Sequence, residues 1–209
     1  MQSWYRRVRV SVFVGGLLLA GHLRCAEAGE PQEKVKVTVD DVVAILANQT
    51  LQPPERHTKI RQAVLQRFGF DEMAQRTLAQ HWRTRTPQQR HEFVGLFTDL
   101  LEGSYIHRMA NANPEPQSVR YVKETIDQDQ AAVHTEIVNE RDAPVTVEYR
   151  LLHKDGDWKV YDIVIEGVSL VNNYRTQFNT IITKDSYAGL VKQMRLKLDQ
   201  ENAVSAQKG

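Results

Sequence analysis

One carboxylate of this chain stands where a carboxylate could do chemistry. The stretch Trp158-Lys-Val-Tyr-Asp-Ile-Val-Ile-Glu166 is Trp, Val, Tyr or Ile at six of its nine positions, with Asp162 at its centre. A carboxyl buried in such a setting has the raised pKa that general acid–base catalysis uses, and cone-shaped α+β domains host Asp/His pairs of that kind. The bland reading is the stronger one: Asp162 and Arg150 satisfy one another across a hairpin. Glu166 reads as the end of the strand, beside the bend at Gly167.

Other reactive groups do not converge. His57, His81, His91, His107, His134 and His153 form neither an H-x-x-x-H pair nor an H-E-x-x-H zinc helix. His91-Glu92 and His107-Arg108 fall on helix faces read as solvated. The one cysteine, Cys25, lies near the start, and neither a phosphate-cradling glycine loop nor a G-x-S-x-G elbow occurs. No metal and no cofactor are expected, and the chain is not expected to be an enzyme.

The element carrying Asp162 must be a buried strand, because β-branched and aromatic residues fit a pleated surface. After Gly167, Ser169 is placed to cap a helix with Leu170, Val171, Tyr174 and Phe178 on one stripe. Upstream, Val119–Thr125, Ala131–Asn139 and Val145–His153 are separated by polar turns, which predicts an antiparallel meander of four strands with Trp158–Glu166. A three-residue loop, Asp155-Gly156-Asp157, sets Leu151 opposite Tyr161, Tyr149 opposite Ile163, Val147 opposite Ile165 and Arg150 opposite Asp162. A slip of one residue puts Val145 against Glu166 and is worse.

Helices surround this sheet in the sequence. Gly29–Lys36 reads as a loose polar leader to a helix capped by Thr38, with Val39, Val42, Val43 and Leu46 on one face. Pro53-Pro54 starts a second helix carrying Ile60, Ala63, Val64 and Phe68, ended by a left-handed Gly69. Asp71 caps a short third helix with Met73, Ala74 and Leu78. Thr86-Pro-Gln-Gln89 is a cap, an N1 proline and a capping-box glutamine, opening a helix to about Met109. Gly95 and Gly103 lie inside it, where close backbone approach by a neighbour is expected. After the Asn113-Pro-Glu-Pro116 break come the strands, and then helices Ser169 to about Thr183 and Ser186 to about Gln200. The fold class is α+β, one domain, a curved four-stranded sheet covered by helices from both ends of the chain and folded against one face.

Arg6, Arg7 and Arg9 precede the apolar stretch Val10–Ala20, and Ala26-Glu27-Ala28 offers a small-x-small cleavage site. Residues 1–28 are therefore expected to be a signal peptide for the general secretory route, 29–200 the domain, and 201–209 a disordered tail. Arg24 before Cys25 argues against lipid attachment. Without residues 1–28 the 27 basic and 26 acidic residues fall to 23 and 25, a net charge of −2. That balance excludes nucleic acid, whose affinity needs clustered Lys and Arg.

The run Val160-Tyr-Asp-Ile-Val-Ile-Glu-Gly-Val-Ser-Leu-Val171, with Asn173-Tyr-Arg-Thr-Gln-Phe178, resembles the signature of the MlaC-type toluene-tolerance proteins. A second match runs from Phe70-Asp-Glu-Met-Ala74 through His81-Trp82 and Thr86–Phe93 to Tyr105, so that the resemblance spans 37–198. It implies a periplasmic phospholipid-binding protein with a cone-like cavity. The partners implied are phospholipid, an inner-membrane ABC transporter bearing an MCE-domain ring, and an outer-membrane lipoprotein complex, with the carrier a monomer maintaining outer-membrane lipid asymmetry. Cavity candidates are Phe97, Leu101 and Tyr105 from the long helix and Val147, Tyr149, Leu151, Tyr161, Ile163 and Ile165 from the sheet. Val168, Tyr174 and Phe178 are the candidates from the last helices. A carrier of hopanoids or another apolar lipid, a cone-fold enzyme using Asp162, and an adaptor with a solid core are the alternatives.

Overall fold

A computed structural model describes residues 29–111, 118–138 and 143–206. The proposed leader 1–28, the Asn113–Pro116 break and Asn139 lie outside the described residues. Helices α1 (Glu30–Ala47), α2 (Pro53–Arg67) and α3 (Phe70–Leu78) lead into a 3₁₀ segment (Ala79–Thr84). Helix α4 (Pro87–Leu101) widens into a π segment (Glu102–Ile106) and continues as α5 (His107–Asn111). Strands β1 (Ser118–Asp127), β2 (Gln130–Val138), β3 (Val145–Lys154), β4 (Asp157–Ile165) and β5 (Val168–Ser169) follow, then α6 (Leu170–Lys184) and α7 (Tyr187–Ala206). Among the described residues no helix is long and apolar enough to cross a membrane.

Helix α1 starts eight residues before the expected Thr38. The backbone N–H groups of Gly29 and Gln32 donate to the Glu124 carboxylate at 2.8 and 2.7 Å, so the cap comes from β1. Thr38 lies inside the helix and donates to the Lys34 carbonyl. Gly69 is not left-handed (φ −91°); its N–H donates to the Val160 carbonyl at 2.9 Å beside a parallel bridge between Phe68 and Val160. It, and not Asp71, caps α3. Thr86 and Gln89 form the reciprocal capping box as expected. Neither helical glycine meets a neighbouring backbone. Gly95 is exposed with open space at its Cβ position, and Gly103 faces the side chain of Glu201.

The sheet is antiparallel in the order β1-β2-β3-β4-β5. Its fifth strand was hidden in the Gly167 bend. Glu166 and Gly167 have φ +49° and +78°, the two left-handed positions of a type I′ turn, which returns Val168 opposite Ile165. The β3–β4 turn is also of this kind, with Asp155 at +54° and Gly156 at +80°, so it holds two residues and not three. A bulge compensates: Leu151 faces Val160, Tyr161 is left over, and Arg150–Asp162, Tyr149–Ile163 and Val147–Ile165 pair as expected.

Helices cover both faces of β4, because both are apolar; Val160 is 0% and Val164 8% exposed. Val35 of α1 packs with Val133, Leu151, Trp158 and Val160 on one face. On the other, α6 joins α3, α4 and α7 around Phe93, Phe97, Phe178 and Leu190. A third small cluster, Ile60, Ile106 and Ala110, ties α2 to the π segment and α5. Helix α7 runs past the expected end at Gln200 to Ala206, and Ser104 Oγ donates to Glu201 Oε1 at 3.5 Å in its last turns. Residues 207–209 lie outside the described residues.

Candidate functional site

Where α2, the π segment and α5 diverge from the end of β4, the apolar layers leave a cavity of about 480 Å³. Val64 and Phe68 of α2 and Phe70 and Met73 of α3 form one wall. Leu101, Ser104, Tyr105, Ile106 and Met109 form the second. Ile163, Ile165, Val168, Leu170 and Asn173 form the third. Of these fourteen side chains, Ser104 and Asn173 are the two polar ones other than the Tyr105 hydroxyl, and none is charged. The hollow between α4 and α7 differs, with Glu92, Lys192, Arg195 and Asp199 in its lining, as does that between α1 and α2, with Asp41 and Lys59.

Each wall is held by contacts outside the cavity. The π segment adds a residue to one turn of the helix, a device frequent at functional sites, and presents Ser104, Tyr105 and Ile106 inward. Behind it, Glu102 is gripped from α2 by Arg61 Nε at 2.6 Å and His57 Nε2 at 3.4 Å. At the mouth, the type I′ turn holds Ile165 against Val168. Thr146 donates its N–H and hydroxyl to Glu166, at 2.5 and 2.9 Å, and these bonds hold the exposed Glu166 carboxyl below the usual carboxylate range. Tyr105, Ile165 and Val168 are 40%, 43% and 62% exposed, so the cavity opens through an apolar rim.

Asp162 points to the opposite face. It is 3% exposed and accepts the Ser169 hydroxyl at 2.6 Å, the Val171 N–H at 3.0 Å and Arg150 Nη1 at 3.4 Å. Arg150 is closer to Glu148, at 2.6 Å, so the main partners of Asp162 are in the first turn of α6 and not across the hairpin. Ser169 in turn accepts the Asn172 N–H. A carboxylate at a helix N-terminus is favourably placed for the helix dipole. Its effect is to fix α6 on β4, which sets Leu170 and Asn173 at the cavity. Among the described residues its hydrogen-bond partners are Ser169, Val171 and Arg150, and none is a histidine.

Of the twelve cavity candidates, Leu101, Tyr105, Ile163, Ile165 and Val168 line the cavity. Phe97, Tyr174 and Phe178 pack ring against ring behind it, with centroids 5.4–6.1 Å apart. The Tyr174 hydroxyl meets Ser104 and Tyr105; burial, reinforced by Tyr105, pushes its pKa up to about 12. Tyr161 lies under the Arg76 guanidinium, 4.1 Å from its ring centre. Leu151 belongs to the layer under α1 and Tyr149 packs against it, while Val147 is buried with its carbonyl bonded to Thr135. The α2, α3 and α5 residues of the wall were absent from the candidates. Helical periodicity marks an inward face, as it did for Val64, Phe68 and Met73, and is silent on whether that face meets a solid layer or a space.

The family model described as MlaC protein matches residues 36–196. A curated relative from Haemophilus influenzae, the intermembrane phospholipid transport system binding protein MlaC, is 25% identical over 151 residues, covering 71% of each chain. A solved structure, the phospholipid-binding protein from Ralstonia solanacearum in complex with a phospholipid, superposes with a TM-score of 0.74. It is 29% identical, with 83% of this chain and 99% of that one covered.

Proposed function

Because the chain belongs to the MlaC family, we propose that it is a phospholipid carrier that holds acyl chains in the cavity between α2, the π segment and β4. The observation that carries this reading is a charge-free cavity opening through the exposed rim of Tyr105, Ile165 and Val168. Its volume falls within the roughly 300–1,000 Å³ of small-molecule sites. Each methylene leaving water contributes about 0.8 kcal/mol, so the part of the acyl chains that enters the cavity binds without polar contacts. A charged head group finds no counter-ion in the lining and stays at the mouth, where the polar groups of the lining are Ser104, Asn173 and the Tyr105 hydroxyl.

In this reading Leu101, Tyr105, Ile163, Ile165 and Val168 touch the chains, and Phe97, Tyr161, Tyr174, Phe178, Val147, Tyr149 and Leu151 hold the walls from behind. The carrier works as a periplasmic monomer after removal of residues 1–28. It moves lipid between an inner-membrane ABC transporter with its MCE-domain ring and an outer-membrane lipoprotein complex, and so serves outer-membrane asymmetry. The test is mass spectrometry of an organic extract from protein purified without detergent from a periplasmic fraction. Diacyl phospholipid near one per chain is expected. A hopanoid would keep the cavity and change the cargo, and an empty extract from folded protein overturns the proposal.

A further inference from the structure

We propose that the corner made by the 3₁₀ segment and the start of α4, with the groove beside it, is a docking site for an acidic amphipathic segment of a partner protein. The inference does not depend on what the cavity holds. Between Glu72 and Glu92 the sequence has no Asp or Glu, but has Arg76, Arg83, Arg85, Arg90, His81 and His91. Arg76 pairs with Glu72 at 2.7 Å. Among the described residues, no carboxylate pairs with Arg83, Arg85 or Arg90. Arg83 is exposed. Arg85 lies flat over the Tyr187 ring, 4.4 Å from its centre, and donates to Thr84 Oγ1. Arg90 stands over Trp82 at 5.2 Å and donates to the Trp82 and Arg83 carbonyls. Stacked guanidinium groups of this kind are held in place before a carboxylate arrives, so less entropy is lost on binding.

Tyr187 joins this corner to a groove of about 450 Å³ between α4 and α7. The groove is apolar along Ala188, Val191 and Leu196, the last 50% exposed, with Lys192 on its wall. Charge complementarity selects an acidic ligand, and the apolar strip selects one with a hydrophobic side to lay down. Within the groove Glu92 is paired with Arg195, and the charge of Asp199 is offset by that of Lys192. The positive excess therefore lies at the corner, on Arg83, Arg85 and Arg90, and the acidic side of the segment is placed there. The corner is at the opposite end of the fifteen-residue α4 from Leu101 of the cavity wall, roughly 20 Å away at 1.5 Å per residue. A partner docked here leaves the mouth free.

The experiment titrates the full chain into a fluorescein-labelled helical peptide with Leu every fourth position and Glu between, at low and at 0.5 M salt, and in parallel into phosphatidylglycerol vesicles. Saturable peptide binding is expected, weakened about tenfold or more by salt and by the exposed double substitution Arg83→Glu/Lys192→Glu. The variant should extract with the wild-type complement of bound lipid, which separates loss of docking from failure of the carrier reading. Equal peptide binding by wild type and variant, no binding by either, or vesicles bound more tightly than the peptide would each overturn the proposal.

Discussion

At the scale of single residues, the decisive fact is that Asp162 has its partners in α6. Its carboxylate is buried and accepts three donors, and hydrogen bonds to charged groups contribute about 1.5–3 kcal/mol each. Asp162→Asn keeps one acceptor and is expected to lower stability by about 1–2 kcal/mol by urea denaturation while bound lipid per folded chain is unchanged. Lipid content that falls with the fold intact would mean the carboxylate acts at the cavity. Asp157 gives a second residue-scale prediction. Burial alone would raise its pKa, but hydrogen bonds from Lys159 and Arg67, with Lys34 nearby at 3.4 Å, hold it well below the usual carboxylate range. A carboxyl depressed by folding stabilises above its unfolded pKa, near 3.9, and that contribution is lost as pH falls through the folded value. Thermal melts should therefore drop steadily below pH 4, and less steeply for Asp157→Asn, which should lose no more than about 1 kcal/mol at pH 7 because the cluster is partly solvated.

At the scale of elements, the two glycines of the long helix separate two kinds of cost. Gly95 has open space around it, so Gly95→Ala should stabilise by about 0.5–1 kcal/mol, read as a higher melting temperature. At Gly103 a Cβ would collide with the Glu201 carboxylate. Gly103→Ala must displace that side chain from the π segment, and its gain should be smaller or reversed. The turn at Glu166–Gly167 belongs to this scale too. Gly167, at φ +78°, is the position where any other residue strains the rim of the cavity.

At the scale of the whole molecule, ligand and fold are linked. A ligand that binds only the native state at a hundred times its Kd stabilises by about 2.7 kcal/mol, or roughly 5–10 °C for a chain of this size. Protein stripped of lipid by denaturation and refolding should melt lower by that order, and added phospholipid should restore it. Ile163→Arg, with a half-buried side chain in the cavity wall, should abolish lipid carriage in a chain whose circular dichroism is preserved; wild-type carriage would place the acyl chains elsewhere. Val147→Arg is a different case: that side chain is 5% exposed in the sheet layer, so the fold itself should fail.

The sequence by itself determined the four long strands, the main helices and their order, and the capping box at Thr86 and Gln89, but not β5, the first turns of α1 or the face of Tyr161. These are decided within one or two turns of chain, where residue type and period carry the information. It also determined the family, through the motif around Asp162 and Gly167. Tertiary structure alone decided the rest. The cap of α1 is a glutamate 95 positions away, and no local pattern points to it. The β3–β4 register agreed beyond Arg150 because a two-residue turn and a bulge at Tyr161 offset each other. The cavity is the clearest case: Phe97 and Leu101 share one helix face, yet one packs against Tyr174 and Phe178 and the other against a space. Which of the two occurs depends on how far apart α2, the π segment and β4 are held, and that separation is a property of all their contacts together.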